Sequence, residues 1–194
     1  VTPTLQDEKR RLREQVIAHR ARLTPAERDD ASRRIADRVA ALDAFAAART
    51  VALYAPIGAE VDTAEIARRA HADRKALAWP RLPSGRLALE FAACDPDRLV
   101  AGPHRTREPP PGAPALPPEG IDLVLVPGVA FDAAGQRLGR GRGHYDATLA
   151  AMPRRTARVG LCFEVQLVSR LPSEPHDARL DAIVTELRVL VPSP

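Results

Sequence analysis

The stretch Gly135-Gln136-Arg137-Leu138-Gly139-Arg140-Gly141-Arg142-Gly143-His144-Tyr145-Asp146 holds the densest chemistry in the chain. Glycine at 139, 141 and 143 removes Cβ atoms at alternate positions, so backbone N–H groups can turn toward a ligand and approach it closely. Arg137, Arg140 and Arg142 add forked donors that suit phosphate oxygens. A helical pattern over residues 144–152 follows at once, and the N-terminus of a helix favours an anion at the same place. The three features converge on a polyphosphate. They match neither commoner phosphate motif. No Gly-Lys-Ser/Thr occurs anywhere, and the glycines stand well past the preceding strand instead of opening from it. The plainer alternative is an Arg/Gly surface turn, which requires neither three arginines nor a helix behind it.

Other candidate groups lie far from this loop in sequence. Asp146 can hold Mg²⁺ against bound phosphates, or serve only as an acid in the first turn of a helix. Asp181 precedes a terminal strand, where spacing alone favours a solvated cap at the strand edge. Glu60 falls in Tyr54-Ala55-Pro56-Ile57-Gly58-Ala59-Glu60-Val61-Asp62-Thr63, between a strand and a helix. Its carboxylate can accept hydrogen bonds from the N–H groups of a heterocycle, or merely precede a helix cap at Asp62 or Thr63. In Lys9-Arg10-Arg11-Leu12-Arg13, Lys9 and Arg13 share one face if the segment is helical, although such a run is also what a solvated helix surface looks like. The five histidines are scattered, and Cys94 and Cys162 stand far apart with no CxxC. Neither a zinc centre nor a disulfide framework is expected.

The bulk composition sets the frame for these groups. Of 194 residues, 45% are hydrophobic and 28% charged, which is enough apolar surface for a packed core and excludes wholesale disorder. Aromatics are only 4%, so Ala, Val, Leu and Ile must fill that core. The net charge is +4, and every basic residue except Lys9 and Lys75 is arginine. A basic balance favours anionic ligands without naming one. No apolar run approaches the roughly 20 residues that span a bilayer, and charges occupy the N-terminal region where a signal peptide needs an apolar stretch. A soluble cytoplasmic protein, without a membrane partner, is the expectation.

The elements that must position these residues can be read in order. Leu12, Val16 and Leu23 place the first helix, and Thr24-Pro25-Ala26-Glu27 restarts a second one through a capping box. Ile35, Val39 and Leu42 continue an apolar stripe toward Phe45, so the pair reads as antiparallel helices. Strands are expected at 51–54, at 76–79 with Pro80 as the stop, at 87–91 as a hairpin arm, and at 121–126 as the most hydrophobic run. A helix is expected over 62–72. Residues 101–120 carry seven prolines and read as an extended surface connection inside one domain spanning 1–194. A buried strand at 157–162, a short helix at 164–169 and strands at 182–185 and 187–191 complete the chain. This alternation predicts a three-layer α/β fold, a mainly parallel sheet flanked by helices with an N-terminal helical pair. Ligands of such sheets gather at the carboxyl ends of the strands.

Taken together, the motifs resemble the 5-formyltetrahydrofolate cyclo-ligase family over nearly the whole length. The resemblance rests on residues 9–13, residues 55–63 around Glu60, and Val126-Pro127-Gly128-Val129-Ala130-Phe131-Asp132. It continues through residues 137–146 and ends with His176-Asp177 and residues 181–186. It implies conversion of 5-formyltetrahydrofolate to 5,10-methenyltetrahydrofolate with ATP and Mg²⁺, releasing ADP and phosphate. By this likeness ATP falls to Lys9, Arg10, Arg11, Leu12 and Arg13, and to Arg137, Leu138, Gly139, Arg140, Gly141, Arg142, Gly143, His144 and Tyr145. Folate falls to Ala55, Glu60 and residues 140–144, and the metal to Asp146 and Asp181. Arg140, Arg142 and Tyr145 are the implied catalytic groups.

The implied chemistry suits these groups. A formamide oxygen is a poor leaving group until a phosphoryl group is placed on it, and in phosphoryl transfer a protein mainly positions partners and neutralises charge. The sequence departs from the family's pattern at His144, where a second tyrosine is frequent, and at Ala130, where glycine is frequent. Histidine keeps a planar hydrogen-bonding ring but has a shorter reach. Two other readings remain open here: the same fold acting on another formylated or amino-bearing heterocycle, and a basic nucleic-acid-binding module. The scarcity of aromatic stacking platforms counts against the second. A monomer is expected.

Overall fold

In the computed structural model, which describes residues 4–103, 106–174 and 177–193, two helices open the chain, each started by a threonine. In α1 (Leu5–Ala21) the Thr4 hydroxyl accepts from the Asp7 N–H, and the Asp7 carboxylate accepts in return from the Thr4 N–H. In α2 (Pro25–Ala40) Thr24 and Glu27 repeat that reciprocal capping, with Pro25 at the first helical position. A short α3 (Asp43–Ala47), separate from the stripe that the sequence continues to Phe45, turns that ring into the core. The two long helices have different neighbours. α2 lies against α4 (Ala64–Ala72), while α1 lies against β8 (Ala130–Asp132) and the turn at Glu164–Gln166.

The main sheet orders its described strands as β13 (Val189–Leu190), β12 (Ala182–Val184), β10 (Ala157–Leu161), β7 (Leu123–Val126), β1 (Thr50–Ala52), β2 (Ala76–Arg81), β3 (Glu90–Ala93) and β6 (Ala115–Leu116). The five from β12 to β2 are parallel, and β13, β3 and β6 add antiparallel edges. Strand alternation divides the core into two layers. Val51, Leu53, Leu123 and Leu125 face Ile35, Val39 and Ile66 on the α2–α4 side. Ala52, Val124 and Val126 face Phe131 and Leu149 on the side of α5 (His144–Ala151). Covering both faces is what a parallel sheet demands. Among the described residues no helix is long and apolar enough to cross a membrane.

A smaller sheet of β11 (Leu167–Val168), β8 and β9 (Arg137–Leu138) carries the glycine loop to its place. The chain leaves β7 at Pro127 and Gly128, and the Phe131 ring then folds so close that a Cβ on Gly128 or Gly160 would lie 2.5 or 2.7 Å from it. Asp132, 2% exposed, accepts from the N–H groups of Ala134, Gln136 and Leu171, which fixes the turn into β9.

Four expectations change. β2 runs through Pro80 instead of stopping there, pairing Pro80 with Phe91. By then β2 has outrun β1, so no parallel neighbour needs the missing N–H. The hairpin arm starts at Glu90, not residue 87. The Leu89 N–H goes to Thr148 Oγ1 and the Leu87 carbonyl to the His144 ring, so both leave the ladder. The proline-rich connection is partly ordered, with the ribbon β4 (Val100–Ala101) and β5 (Arg107–Glu108) and the edge strand β6. The segment expected as a helix at 164–169 is one 3₁₀ turn followed by β11.

At the amino end of the sheet, the Asp122 carboxylate accepts from the N–H groups of Arg49 and Thr50, each at 2.9 Å. The Thr50 bond above all, with that of Arg49, outweighs burial and holds Asp122 below the ordinary aspartate value of 3.8. A depressed folded value means that the unfolded chain binds the proton more readily, so this stabilisation is present above pH 3.8 and fades as pH falls from there through the lower folded value. The difference in urea midpoint between the wild type and Asp122→Asn is therefore expected to be constant near neutral pH and to close in acid. Gly160→Ala drives a methyl into the buried Phe131 ring and Leu180, and its urea midpoint is expected to fall by the equivalent of about 1–3 kcal/mol with an unchanged slope.

Candidate active site

The carboxyl ends of β1, β2 and β7 leave a cleft of about 300 Å³, with Ala55, Arg81, Pro127 and Gly128 at its floor. One wall is α1. Its Lys9 and Arg13 line the cleft, as their spacing predicts, and Val16 and Arg20 continue the same buried face. The rest of the basic motif turns elsewhere. Arg10 pairs with Asp7 on the solvent side, Arg11 is exposed, and Leu12 packs into the apolar cluster of Val16 and Leu138. The Arg13 Nε donates to the Gly139 carbonyl at 2.9 Å, tying helix to loop.

The glycine loop forms the adjoining wall. Gly141 and Gly143 take φ of +89° and +71°, a region costly for any residue with a Cβ, and Gly143 is the N-cap of α5 with no side chain over its first N–H groups. Leu138, by contrast, is buried in β9. Arg137 is buried too, bonding Asp146 at 2.7 Å with its guanidinium 5.6 Å from the centre of the Tyr145 ring. It is therefore a wall support in this structure and not an open fork. Arg140 reaches across the cleft. It bonds Glu60 at 2.8 Å and the Ile57 carbonyl at 3.3 Å, while the other Glu60 oxygen accepts from the Ile57 N–H. Asp62 caps α4 through the Ala64 N–H, so Glu60 is not spent on that role. Arg142 also lines the cleft.

Two rings complete the wall. The His144 Nδ1 lies 2.8 Å from the Leu87 carbonyl, which can only accept, so that nitrogen carries the proton. The Tyr145 hydroxyl is buried without a hydrogen-bond partner among the described residues. Burial first, and then the charge of Glu60, pushes its phenol well above the usual tyrosine value, leaving a neutral donor without an acceptor on a residue that lines the cleft.

The two acids expected to share a metal are not brought together. Asp146 lines the cleft at the start of α5. Asp181 sits before β12, accepting from the Arg158 N–H at 2.8 Å, at the amino end of the parallel strands. Its strand-edge environment is the one that spacing alone favours. Among the described residues no group of three His, Cys, Asp or Glu is arranged for a metal. One carboxylate with substrate phosphates is still an ordinary Mg²⁺ environment, so Asp146 fits such an ion and Asp181 does not. His176 lies outside the described residues, whereas Asp177 lines the cleft. Sequence reasoning missed Arg20 and the lip formed by Thr106, Arg107 and Glu108. A signal for Arg20 existed: it falls four residues after Val16, on the stripe of Leu12, Val16 and Leu23, where an apolar residue is the rule.

Comparison with known proteins agrees over most of the chain. The sequence model of the 5-formyltetrahydrofolate cyclo-ligase family matches residues 5–186. The 5-formyltetrahydrofolate cyclo-ligase of Mycolicibacterium smegmatis is 36% identical over 155 residues, 74% of this chain and 76% of its own length. That of Escherichia coli K12 is 33% identical over 174 residues, 88% of this chain and 96% of the relative. The solved structure of the 5,10-methenyltetrahydrofolate synthetase of Aquifex aeolicus superposes with a TM-score of 0.82 at 32% identity, over 94% of this chain and 92% of that one.

Lys9 closes the cleft at its far end. Its ammonium bonds Glu174 at 2.8 Å and Asp177 at 3.0 Å, fastening the segment before β12 to α1. Burial alone would lower its pKa, but those two bonds outweigh it and raise it above the ordinary lysine value. Lys9→Met removes both of these bonds. The urea midpoint is expected to drop by the equivalent of about 1–3 kcal/mol, with helix content by circular dichroism unchanged.

Proposed function

The chain belongs to the 5-formyltetrahydrofolate cyclo-ligase family, and from that premise we propose that it uses ATP to convert 5-formyltetrahydrofolate into 5,10-methenyltetrahydrofolate, releasing ADP and phosphate. The observation that carries this reading is the contact of Arg140 with Glu60. A loop suited to phosphate and an acid suited to a heterocycle face each other across one cleft, so two ligands held there would meet.

In this reading the triphosphate lies along residues 139–145, with Arg13 behind the loop and Lys9 at the cleft's end. The pterin lies over Ala55 and donates its N–H groups to Glu60. The formyl oxygen attacks the γ-phosphorus, ADP departs, and N10 then adds to the formyl carbon, loses its proton and expels phosphate. Arg140 and Arg142 neutralise the migrating phosphoryl group, as fixed cations do where charge moves. The protonated Tyr145 hydroxyl donates to the oxygen that receives the phosphoryl. Asp146, together with the phosphates, would hold Mg²⁺, whose charge neutralises the polyphosphate. Arg137 orients that carboxylate. No residue of the chain needs to be covalently modified.

Arg140 has two duties here, and they exclude each other in time: it must leave Glu60 to reach the phosphoryl group. The same reading has a cytoplasmic monomer acting on two anionic small molecules, without nucleic acid or membrane. Four of the cations that could form a basic surface, Lys9, Arg13, Arg137 and Arg140, are instead engaged within a concave cleft.

Incubating the wild type with ATP, Mg²⁺ and 5-formyltetrahydrofolate is expected to raise the near-ultraviolet absorbance of the methenyl product. Arg140→Ala is expected to lower kcat by at least about a hundredfold with an unchanged circular dichroism spectrum. A wild type that forms no product overturns the reading, and an active Arg140→Ala removes the phosphoryl clamp.

A further inference from the structure

Arg20 is a cation in an apolar position. It lies in the last turn of α1 with 7% of its surface exposed. The carboxyl end of a helix favours positive charge, which offsets part of the cost of burial. Burial still pushes its guanidinium below the ordinary arginine value, and the charge that most opposes this is that of Glu60. Arg20 and Glu60 line one narrow gap with Tyr54, Gly128 and Gln166, and the gap has no room for a water molecule. Charges across such a gap are poorly screened. Among the described residues no acid lies within ion-pair distance of Arg20, and the two Glu60 oxygens are engaged by Arg140 and by the Ile57 N–H.

Glu60 thus stands between two cations of different kinds. Arg140 is half exposed, on the glycine loop; Arg20 is buried in the last turn of α1. The other titratable groups facing this acid are the phenols of Tyr54 and Tyr145, both held neutral by burial. Glu60 itself is nearly buried, where losing a cation partner costs a carboxylate more than it would in open solvent. Once Arg140 turns to a phosphoryl group, Arg20 is the cation left at its side.

We propose that Arg20 is a positioning residue for Glu60: when Arg140 is released to the nucleotide, Arg20 becomes the counter-ion that holds the Glu60 carboxylate aimed at the folate. The inference rests on the reading of Glu60 as the acid that orients the pterin. It has a signature that a purely structural role lacks. Arg20 matters little to folate binding while Arg140 still neutralises Glu60, and much once a nucleotide has drawn Arg140 away.

The test is a double-mutant cycle on the intact protein with Arg20→Met, Glu60→Gln and both together, and with Arg20→Lys as the conservative variant. 5-Formyltetrahydrofolate binding is measured by calorimetry with and without the non-hydrolysable nucleotide AMP-PNP. With AMP-PNP bound, Arg20→Met is expected to weaken folate binding about tenfold, against a few-fold loss without it. Arg20→Lys is expected to recover most of that loss, the Arg20→Met change to add nothing in the Glu60→Gln background, and AMP-PNP affinity to stay unchanged. An equal loss with and without nucleotide, or a loss persisting in full in the Glu60→Gln background, overturns the inference. If Arg20→Met does not fold, Arg20→Gln takes its place in the cycle. The four melting temperatures with AMP-PNP bound and no folate give an independent reading: they should be non-additive, and additivity overturns the pairing. A wild type that binds no 5-formyltetrahydrofolate instead overturns the functional reading, while those melting temperatures still decide whether Arg20 and Glu60 are coupled.

Discussion

Cations drawn to one cleft gain most where they meet an acceptor there, and contacts of that kind join the walls of this one. Lys9 fastens Glu174 and Asp177 to the first helix. Arg13 takes the carbonyl of Gly139, Arg137 takes Asp146, and Arg140 takes Glu60 and the carbonyl of Ile57. Each bond joins segments far apart in the chain or holds the entry to a helix. Removing the charges would leave the sheet intact and its carboxyl edge without walls. In the reading proposed above Arg140 is the one of these that an anionic ligand recruits, so occupation of the cleft and release of Glu60 are one event.

The sheet's contribution is to bring those segments within reach. Alternation along β1 and β7 sends side chains to two apolar layers, which pins the strands in register and leaves their carboxyl ends aligned. Phe131 then seals the exit from β7 against two glycines, and Asp132 turns the chain back through three backbone bonds. The glycine loop therefore starts from a rigid corner, although its own residues near 140 are exposed. Such a mixture suits an enzyme of the cyclo-ligase family: a fixed base and a reaching arm.

What the sequence discloses depends on whether the signal is local. The Thr24 capping box, the strand within the run at 121–126 and the glycine loop opening into α5 depend on neighbouring residues, and the structure has them all. Lys9 and Arg13 share a face because helical periodicity says so. Pro80 misleads because its effect depends on where the neighbouring strand ends, which only tertiary register decides. Asp181 misleads differently: family likeness pairs it with Asp146, whereas the parallel sheet sets the two at opposite ends of the strands. The proline-rich stretch looks featureless because two-residue strands leave no period to read. Arg20 is visible only as a misfit on an apolar stripe, a sign that a buried charge has business with something the helix itself does not contain.

The borders of the sheet have a consequence outside the cleft. At one border β6 is two residues long, between Pro114 and Pro117; at the other β13 is two residues long and Pro192 follows closely. A strand arriving from another molecule would find a short ladder and then a residue with no N–H to offer. Intermolecular β-pairing is thereby blunted at both borders, so crowding many copies together need not seed fibrils from this sheet.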